Sequence, residues 1–333
     1  MTSAVETVKG PVAIESLGVT LPHEHIFLRE PEVEANYPNS HWDEAAKIDQ
    51  AVAALDQVKA MGVDTLVDLT VLGLGRDISL VQKVAARTDI NICVATGSYT
   101  FNQLPTHFEL RGPGRLVDMP RDPLETCFIN DITVGIAGTG VKAAMIKVAT
   151  DSYGITPDVA RVLRAAAVAH RETGVTITTH THAEDFTGRD QQAFLKAEGV
   201  PLDRVVIGHS GDSTDVNYLR ELMDNGSTIG LDRFGAEILM SDEARIEVLL
   251  RLIELGYSDR LTLSHDAFIY SANLPDEFVA EKLPKWKFTH LFTHIVPALY
   301  ERGVSEETIR VMTVDNPARM LRRVQHGGAF GLN

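Results

Sequence analysis

The chain has 333 residues, of which 44% are hydrophobic and 23% are charged, and its mean hydropathy is −0.03. This composition is typical of a soluble globular protein with enough apolar material for a large core. The formal charge of −15 disfavours binding to the phosphates of nucleic acids and to anionic membranes. No apolar run approaches the ~20 residues that a transmembrane helix requires.

The N-terminus and the two cysteines indicate a cytoplasmic protein. The N-terminal segment, MTSAVETVKGPV, lacks the basic region and the apolar core of a signal peptide. Cys93 and Cys127 lie among apolar residues, and two cysteines do not indicate a disulfide framework. We therefore expect buried free thiols in a reducing compartment.

Short apolar, β-branched runs recur along the chain and alternate with amphipathic segments. Runs of this length suit strands that are covered on both faces, as in a parallel sheet. The predicted strands are 18–21, 65–69, 91–97, 143–148, 176–179, 205–208, 228–231 and 261–264.

The segments between these strands carry helix signals. Residues 156–174 have Thr156 as an N-cap, Pro157 at the first helical position and a closing glycine. Residues 43–62 also have helical periodicity and end in a glycine. The alternation of strands with helices predicts an α/β protein, a (β/α)8 TIM barrel that forms a single domain over residues 1–333. A doubly wound open sheet is the alternative, and residues 324–333 are expected to be a loosely ordered tail.

Nearly every predicted strand is followed by a residue that can bind a metal ion or transfer a proton. In a barrel the carboxyl ends of all strands meet at one mouth, where the active sites of barrel enzymes lie. The residues at these ends are, in chain order, His23 and His25, Thr70, Tyr99, Lys147, His180, His209, Asp232 with Arg233, and Asp266.

The His-Glu-His motif at residues 23–25 is the first indication of a metal ion. Side chains alternate along a strand, so His23 and His25 share one face and Glu24 lies on the other. We predict that both histidines bind one metal ion and that Glu24 is structural. An isolated pair can equally consist of core residues, but the candidate ligands at later strand ends favour metal binding.

Lys147 is the second informative residue. A lysine within MIKVA would be buried at a high desolvation cost unless it is paired or chemically modified. A salt bridge to Asp232 or Asp266 is one explanation. The other is carboxylation by carbon dioxide, which converts the cation into an anion that can bridge two metal ions.

Two other histidines lie beside candidate ligands. His182 follows His180 by two residues and is a rival ligand, although we expect it to lie in the loop after the strand. His265 precedes Asp266 and is expected to point away from the site.

Taken in order, several motifs resemble the phosphotriesterase family of the amidohydrolase superfamily, and most closely its phosphotriesterase-like lactonases. The resemblance covers nearly the whole chain, from about residue 10 to about residue 322. The motifs are GVTLPHEH, DLTVLGLGRD, ATGSYTF, MIKVATD, THTHAEDFTGRDQQ, VVIGHSGDSTD, IGLDRFG and LSHDAF.

The resemblance implies two divalent metal ions, with zinc the first candidate and cobalt, iron and manganese the others. Carboxylated Lys147 and a hydroxide would bridge the two ions. The more buried ion would be held by His23, His25 and Asp266, and the more exposed ion by His180 and His209.

The resemblance also implies the reaction. Tyr99, Arg233 and the short segment after the seventh strand are similar to the lactonase branch, whose members open lactone rings. N-acyl homoserine lactones, the substrates of quorum quenching, are the expected substrates, with weak promiscuous phosphotriesterase activity. Asp266 would relay the proton, Tyr99 would assist at the reacting carbonyl, and Arg233 would position Tyr99 or the strand-seven loop. A homodimer is expected on the same grounds.

The segment after Asp266, residues 267–286, looks like a loop. Its side chains are expected either to line an apolar channel for an acyl chain or to pack the loop against the barrel. These side chains are Phe268, Ile269, Tyr270 and Trp286.

Other functions remain open from the sequence. Within the same fold the chain could be a dedicated phosphotriesterase or an N-acyl amino acid amidohydrolase that uses the same metals. A metal-stabilised binding protein without turnover is a different class, but all six ligand positions are filled. A one-metal deaminase of the superfamily is a third alternative, although such enzymes do not need the lysine at position 147.

Overall fold

The computed structural model describes residues 4–37 and 42–324. Its centre is a nine-stranded sheet in which neighbouring strands are parallel, in the order β12-β11-β10-β9-β8-β5-β4-β3-β13. These strands are β3 (Val19–Leu28), β4 (Val63–Asp68), β5 (Asn91–Ser98), β8 (Met145–Thr150), β9 (Ile177–Thr181), β10 (Val205–Ile207), β11 (Thr228–Leu231), β12 (Leu261–Leu263) and β13 (Phe268–Ser271).

The sheet closes because β12 and β13 act together as the eighth strand of a barrel. β12 pairs with β11, and β13 pairs with β3. The residues between them also follow β3, since Asp266 N donates to His23 O (3.0 Å) and His25 N donates to Ala267 O (2.8 Å). The prediction of a (β/α)8 TIM barrel is therefore confirmed.

Helices flank the barrel, and one β-hairpin, one short pair of parallel strands and single turns complete the described part of the chain. The helices are α1 (Pro31–Asn36), α2 (Glu44–Ala60), α3 (Ile78–Ala85), α4 (Thr106–Glu109), α5 (Pro123–Thr133), α6 (Pro157–Thr173), α7 (Thr187–Ala197), α8 (Val216–Asp224), α9 (Asp242–Glu254), α10 (Asp276–Lys282), α11 (Val296–Glu301), α12 (Glu306–Arg310) and α13 (Asn316–Leu321). The remaining strands are β1 (Ala4–Thr7), β2 (Gly10–Ala13), β6 (Arg111–Gly112) and β7 (Val117–Asp118). π-helical turns at Leu291–Ile295 and Val311–Asp315 lead into α11 and α13.

Helix α6 has the ends that its sequence predicts. The Thr156 hydroxyl accepts a hydrogen bond from Val159 N (3.3 Å), Pro157 is the first helical residue, and Gly174 ends the helix with a φ of +72°. A left-handed conformation of this kind favours glycine because other side chains are strained there.

The structure corrects two of the predicted elements. The first strand does not end at residue 21 but continues to Leu28, so His23 and His25 lie within it. The segment after Asp266 is not a simple loop, because it contains β13 and α10. In β3 buried polar residues interrupt the apolar run without ending the strand, whereas Ser264, His265 and Asp266 separate β12 from β13. The tail predicted for residues 324–333 lies, apart from Val324, outside the described residues.

The core has two layers that alternate along the strands. Leu66 and Ile146 face the helices and belong to the larger apolar cluster. Their neighbours Val67 and Met145 face the barrel interior and belong to a smaller cluster. Lys147 follows Met145 by two residues and therefore lies on the interior face, above this apolar floor. Across the described ranges, no helix has the length and apolarity needed to cross a membrane.

Candidate metal centre

Side chains from several strands converge inside the mouth of the barrel. The ring centroids of His23 and His209 are 4.8 Å apart, and those of His180 and His209 are 4.6 Å apart. One oxygen of Asp266, Oδ1, lies 3.4 Å from His23 Nε2 and 3.2 Å from His25 Nε2. A donor atom from each of His23, His209 and Asp266 lies within 4.8 Å of the other two, which is a spacing that one metal ion can span.

Asp232 orients two of these histidines from behind. His23 Nδ1 donates to Asp232 Oδ2 (2.6 Å), and His209 Nδ1 donates to Asp232 Oδ1 (3.0 Å). With Nδ1 protonated, each ring keeps the lone pair on Nε2, the nitrogen that faces Asp266. A histidine held by an outer carboxylate in this way is the usual arrangement of a metal ligand.

The other two histidines also have an outer partner. His180 Nε2 donates to Asp151 Oδ2 (2.7 Å), which leaves Nδ1 free to face the Tyr99 hydroxyl at 3.2 Å. His25 Nδ1 is hydrogen-bonded to Thr70 Oγ1 (2.9 Å), which leaves Nε2 facing Asp266. The donor set therefore fits divalent metal ions: every ring has one nitrogen anchored and the other directed into the site.

Burial favours the uncharged form of three of these histidines. It lowers the pKa of His23, with the nearby Lys147 acting in the same direction. Burial also lowers the pKa of His180 to about 4, although Asp151 opposes the shift. The pKa of His209 is lowered well below its usual range by burial and by the Arg233 guanidinium. Neutral imidazoles are the form that binds metal ions.

Lys147 is 1% exposed and lies among the histidines. Its Nζ donates to His23 Nε2 (2.7 Å) and to Thr179 O (3.4 Å). Within the described residues it forms no ion pair with Asp232 or Asp266, so the salt-bridge explanation is not supported. Burial lowers the pKa of this amine to about 8, so more of it is neutral near neutral pH than for an ordinary lysine.

Two of the candidate ligands have strained backbones. His209 and Asp266 have φ values of +60° and +55°, a left-handed region that few residues other than glycine adopt, although asparagine, aspartate and histidine enter it more often than most. Such conformations cost on the order of 1–3 kcal/mol and are commonly found at functional sites. Hydrogen bonds hold them in place: His209 N donates to Asp232 Oδ1 (2.8 Å), and Asp266 N donates to His23 O (3.0 Å).

Arg233 connects Asp266 to the loop after β10. Its Nε donates to Asp266 Oδ2 (3.1 Å) and its Nη1 donates to Asp212 Oδ2 (2.9 Å). These two carboxylates, rather than Tyr99, are its side-chain hydrogen-bond partners in the described part of the chain. Because Arg233 binds Oδ2, Asp266 presents Oδ1 to His23 and His25.

A cavity of about 280 Å³ opens above the donor set. Its lining includes Tyr99, Lys147, Arg233 and Asp266 together with a group of apolar side chains. The apolar side chains are Leu28, Leu74, Phe101, Phe268, Leu274 and Trp286.

Two of the four predicted channel residues line the cavity and two do not. Phe268 and Trp286 line the cavity, with their ring centroids 5.2 Å apart. Ile269 and Tyr270 do not line it, which corrects the prediction. Ile269 packs against the main core. Tyr270 is directed toward the start of α2, where its ring centroid lies 4.9 Å from that of Trp42 and 5.0 Å from Lys47 Nζ.

The flanking histidines lie where the sequence predicted. His265 is fully buried, and its Nδ1 donates to Glu24 Oε1 (2.6 Å) on the side away from the site. His182 lies beyond the end of β9, with Nδ1 2.9 Å from Asp185 Oδ2. Glu24 is structural, as predicted.

The orienting residues were not identified from the sequence. Asp232 stood at a strand end, but its contact with His23 bridges residues far apart in the chain, which no local pattern reveals. Asp151 and Asp212 each lie a few residues after a candidate ligand. An acidic residue shortly after a candidate ligand is the one sequence signal that could have identified them as orienting residues.

The phosphotriesterase family model matches residues 3–321. The chain belongs to this family. A phosphotriesterase homology protein of Mycobacterium tuberculosis is 48% identical over 96% of this chain and 98% of its own length. An aryldialkylphosphatase of Saccharolobus solfataricus is 38% identical over 93% of this chain and 97% of its own.

A solved structure agrees with these relatives. The structure of the phosphotriesterase from Mycobacterium tuberculosis superposes with a TM-score of 0.94 at 48% identity, covering 96% of this chain and 98% of that one. Because the two structures agree over nearly the whole chain, the similarity to this family covers the entire barrel and not only single motifs. The protein is therefore a hydrolase of the phosphotriesterase family.

Proposed function

We propose that the chain is a binuclear-metal lactonase that opens aliphatic lactones, N-acyl homoserine lactones in particular. The observation that carries this proposal is the cavity directly above the donor set, whose apolar walls are joined by a few polar groups, among them Tyr99, Arg233, Ser271 and Asn273. Pockets with apolar walls and a few convergent polar groups suit ligands with a long apolar part and one reactive polar part. An acyl chain on a lactone ring has this form.

His23, His25 and Asp266 would hold one divalent ion, and His180 and His209 the other, with Lys147 between them. When bound, such a pair of ions supplies a hydrolytic nucleophile at neutral pH and polarises the scissile carbonyl. Nitrogen and carboxylate donors suit zinc, cobalt, iron or manganese, and zinc is our first choice.

Lys147 would join the two sites as a carbamate. The neutral amine adds to carbon dioxide, so that an N–C bond forms and one N–H proton leaves to solvent. The buried position favours this step because burial lowers the pKa of the amine to about 8. The resulting anion also removes the cation that would otherwise repel the metal ions.

The remaining residues act on the substrate. Burial raises the pKa of Tyr99, so its hydroxyl stays protonated and can donate a hydrogen bond to the ring carbonyl. Asp266, held at Oδ2 by Arg233, can accept the proton released when the carbonyl is attacked and return it to the leaving alkoxide. The apolar side chains hold the acyl chain and exclude water.

Phosphotriester hydrolysis is a second candidate activity, favoured by the relative that is named an aryldialkylphosphatase. The same site can act on both substrate classes, because a carbonyl and a phosphoryl centre each require an activated nucleophile and a polarised oxygen. We propose it as a weak side activity. The short connection between Leu231 and Asp242 leaves little room for an enlarged strand-seven loop.

The test is a comparison of kcat/KM on one zinc-loaded preparation. The substrates are a long-chain N-acyl homoserine lactone, a simple aliphatic lactone, an aryl phosphotriester and an N-acyl amino acid, with Lys147→Ala as the control. We expect lactone rates to exceed the others by orders of magnitude and to be lost in the variant. A triester or amide in first place would overturn the lactonase proposal, and no turnover would favour a metal-binding protein. A homodimer and a cytoplasmic location remain predictions.

A further inference from the structure

Arg245 is the largest side chain that is completely buried in the described part of the chain. It lies on α9, is 0% exposed, and does not line the cavity. Its Nε has no hydrogen-bond partner among the described residues. Burying a guanidinium is costly, and a hydrophobic residue of similar volume commonly stabilises a protein at least as well. Stability is therefore a weak explanation for an arginine at this position.

A series of hydrogen bonds connects Arg245 to the metal centre. Its Nη2 donates to Asp212 Oδ1 (2.6 Å), and the other oxygen of Asp212 accepts from Arg233 Nη1 (2.9 Å). Arg233 in turn donates to Asp266 Oδ2 (3.1 Å). Cation and anion alternate along this row, so each group fixes the orientation of the next.

Arg245 also holds the loop that carries Arg233. Its Nη1 donates to Met240 O (2.5 Å), and its Nη2 lies within 3.4 Å of Ala236 O. Both carbonyls belong to the segment between β11 and α9. One guanidinium therefore joins the loop after β10, through Asp212, to the loop after β11.

We propose that Arg245 is a positioning residue for the metal centre. It holds Asp212 so that Asp212 holds Arg233, and Arg233 keeps Asp266 turned with Oδ1 toward His23 and His25. Without Arg245, Asp212 would lose its fixed orientation, Arg233 would gain freedom, and Asp266 would be a less well oriented ligand. This inference rests on the metal centre of the proposed function but not on the identity of the substrate.

The chain offers a matched control. Arg161 on α6 is 8% exposed, pairs with Asp122 and donates to the carbonyls of Phe108 (2.6 Å) and Arg111 (2.6 Å). It ties loops together as Arg245 does, but this set of contacts does not include a candidate ligand. Arg161→Met should therefore report the structural cost alone of removing a buried arginine.

The primary measurement is the rate at which the zinc-loaded protein releases zinc to a chelating dye. Loss of an outer partner of a metal ligand typically changes metal affinity 10- to 100-fold. Arg245 lies two contacts beyond Arg233, the outer partner of Asp266, and we expect Arg245→Met to release zinc about tenfold faster. Asp212→Asn should have a similar effect. The double variant should match the single variants, because the two residues act in one series. Arg245→Lys, which keeps the charge, should fall between wild type and Arg245→Met.

Kinetics on the preferred substrate give the second measurement. A misaligned Asp266 should lower kcat about tenfold and leave KM within about twofold, since the apolar side chains of the cavity wall are unchanged. Arg161→Met should lower the melting temperature while keeping wild-type zinc release and kcat. If Arg245→Met and Arg245→Lys behave like Arg161→Met, or if the two effects multiply in the double variant, the proposal is wrong. Failure to open lactones would refute the substrate assignment and leave the zinc-release test intact.

Discussion

Replacing Asp232 by asparagine tests how the metal centre is organised. The Asp232 carboxylate accepts three hydrogen bonds, from His23 Nδ1, His209 Nδ1 and His209 N. The asparagine amide has the same shape but carries one oxygen and one NH₂ group. Its oxygen would stay with His209, where two donors face it, and its NH₂ would then face His23.

The consequence for His23 is a change of tautomer. A ring whose Nδ1 meets an N–H donor must accept there, so its proton moves to Nε2, the nitrogen that should bind the metal. Outer partners of ligating histidines are typically worth 10- to 100-fold in metal affinity. Because Asp232 supports two ligands, we expect the upper end, about 100-fold or about 2.7 kcal/mol. Asp151→Asn, which affects His180 alone, should cost about tenfold.

The assay is a zinc titration in competition with a chelator of known affinity, with circular dichroism to confirm that each variant is folded. We expect Asp232→Asn to bind zinc more weakly than Asp151→Asn, and both more weakly than wild type. A folded Asp232→Asn variant with wild-type zinc affinity would refute the idea that Asp232 sets the tautomers of His23 and His209. Equal losses in the two variants would mean that sharing the carboxylate adds nothing.

Three other predictions concern separate parts of the structure. Phe268→Ala should lower kcat/KM for long-chain lactones about tenfold more than for short ones, because an apolar contact with the acyl chain is lost; an equal loss would argue against the channel. Gly97→Ala should destabilise the barrel by about 3 kcal/mol in denaturant titrations, because the added Cβ would lie 1.8 Å from Lys147 O at a φ of +138°; a near-neutral effect would contradict this packing. Cys93 and Cys127 are free thiols whose pKa values burial raises to about 12 and about 11, from 9.0. Since the thiolate is the reactive form, iodoacetamide at pH 8 should label Cys93 roughly 1000-fold more slowly in the folded protein than after denaturation, and Cys127 roughly 100-fold more slowly; rapid labelling of the native chain would show that these thiols are accessible.

Much of the barrel could be predicted because its signals are local. The cap, the first-turn proline and the closing glycine of α6 lie within the helix or next to it, and all three act as expected. The apolar runs of the strands are local as well. Prediction was wrong in β3 and around β13, where buried polar residues such as Glu24 and His265 have partners distant in sequence.

The site shows the same division between local and distant information. Strand alternation was enough to place His23 and His25 together and Glu24 apart. It could not show that Asp232 reaches both His23 and His209, nor that Tyr270 is directed toward α2. Arg245 is the clearest case, because an arginine in an amphipathic helix is expected at the surface. Its burial follows from Asp212 and from two loop carbonyls, which no sequence period specifies.

The His-Glu-His motif has a role on each face of β3. On the inner face His23 and His25 are directed toward Asp266. On the outer face Glu24 Oε1 accepts from Ser264 Oγ (2.7 Å), His265 N (3.0 Å) and His265 Nδ1 (2.6 Å), while Glu24 Oε2 accepts from Ala267 N (2.9 Å). These bonds hold the segment between β12 and β13 against β3, at the place where the barrel closes.

Asp266 lies within that segment. Glu24 therefore helps to position Asp266, the candidate ligand that faces His23 and His25. The left-handed backbone of Asp266 would be unfavourable in a free loop. Here the hydrogen bonds that Glu24 accepts fix His265 and Ala267 on either side of Asp266, and the bond from Asp266 N to His23 O fixes Asp266 itself. The same strand therefore provides two candidate ligands and holds the third in position. This explains why three consecutive polar residues are buried in a strand that otherwise reads as apolar.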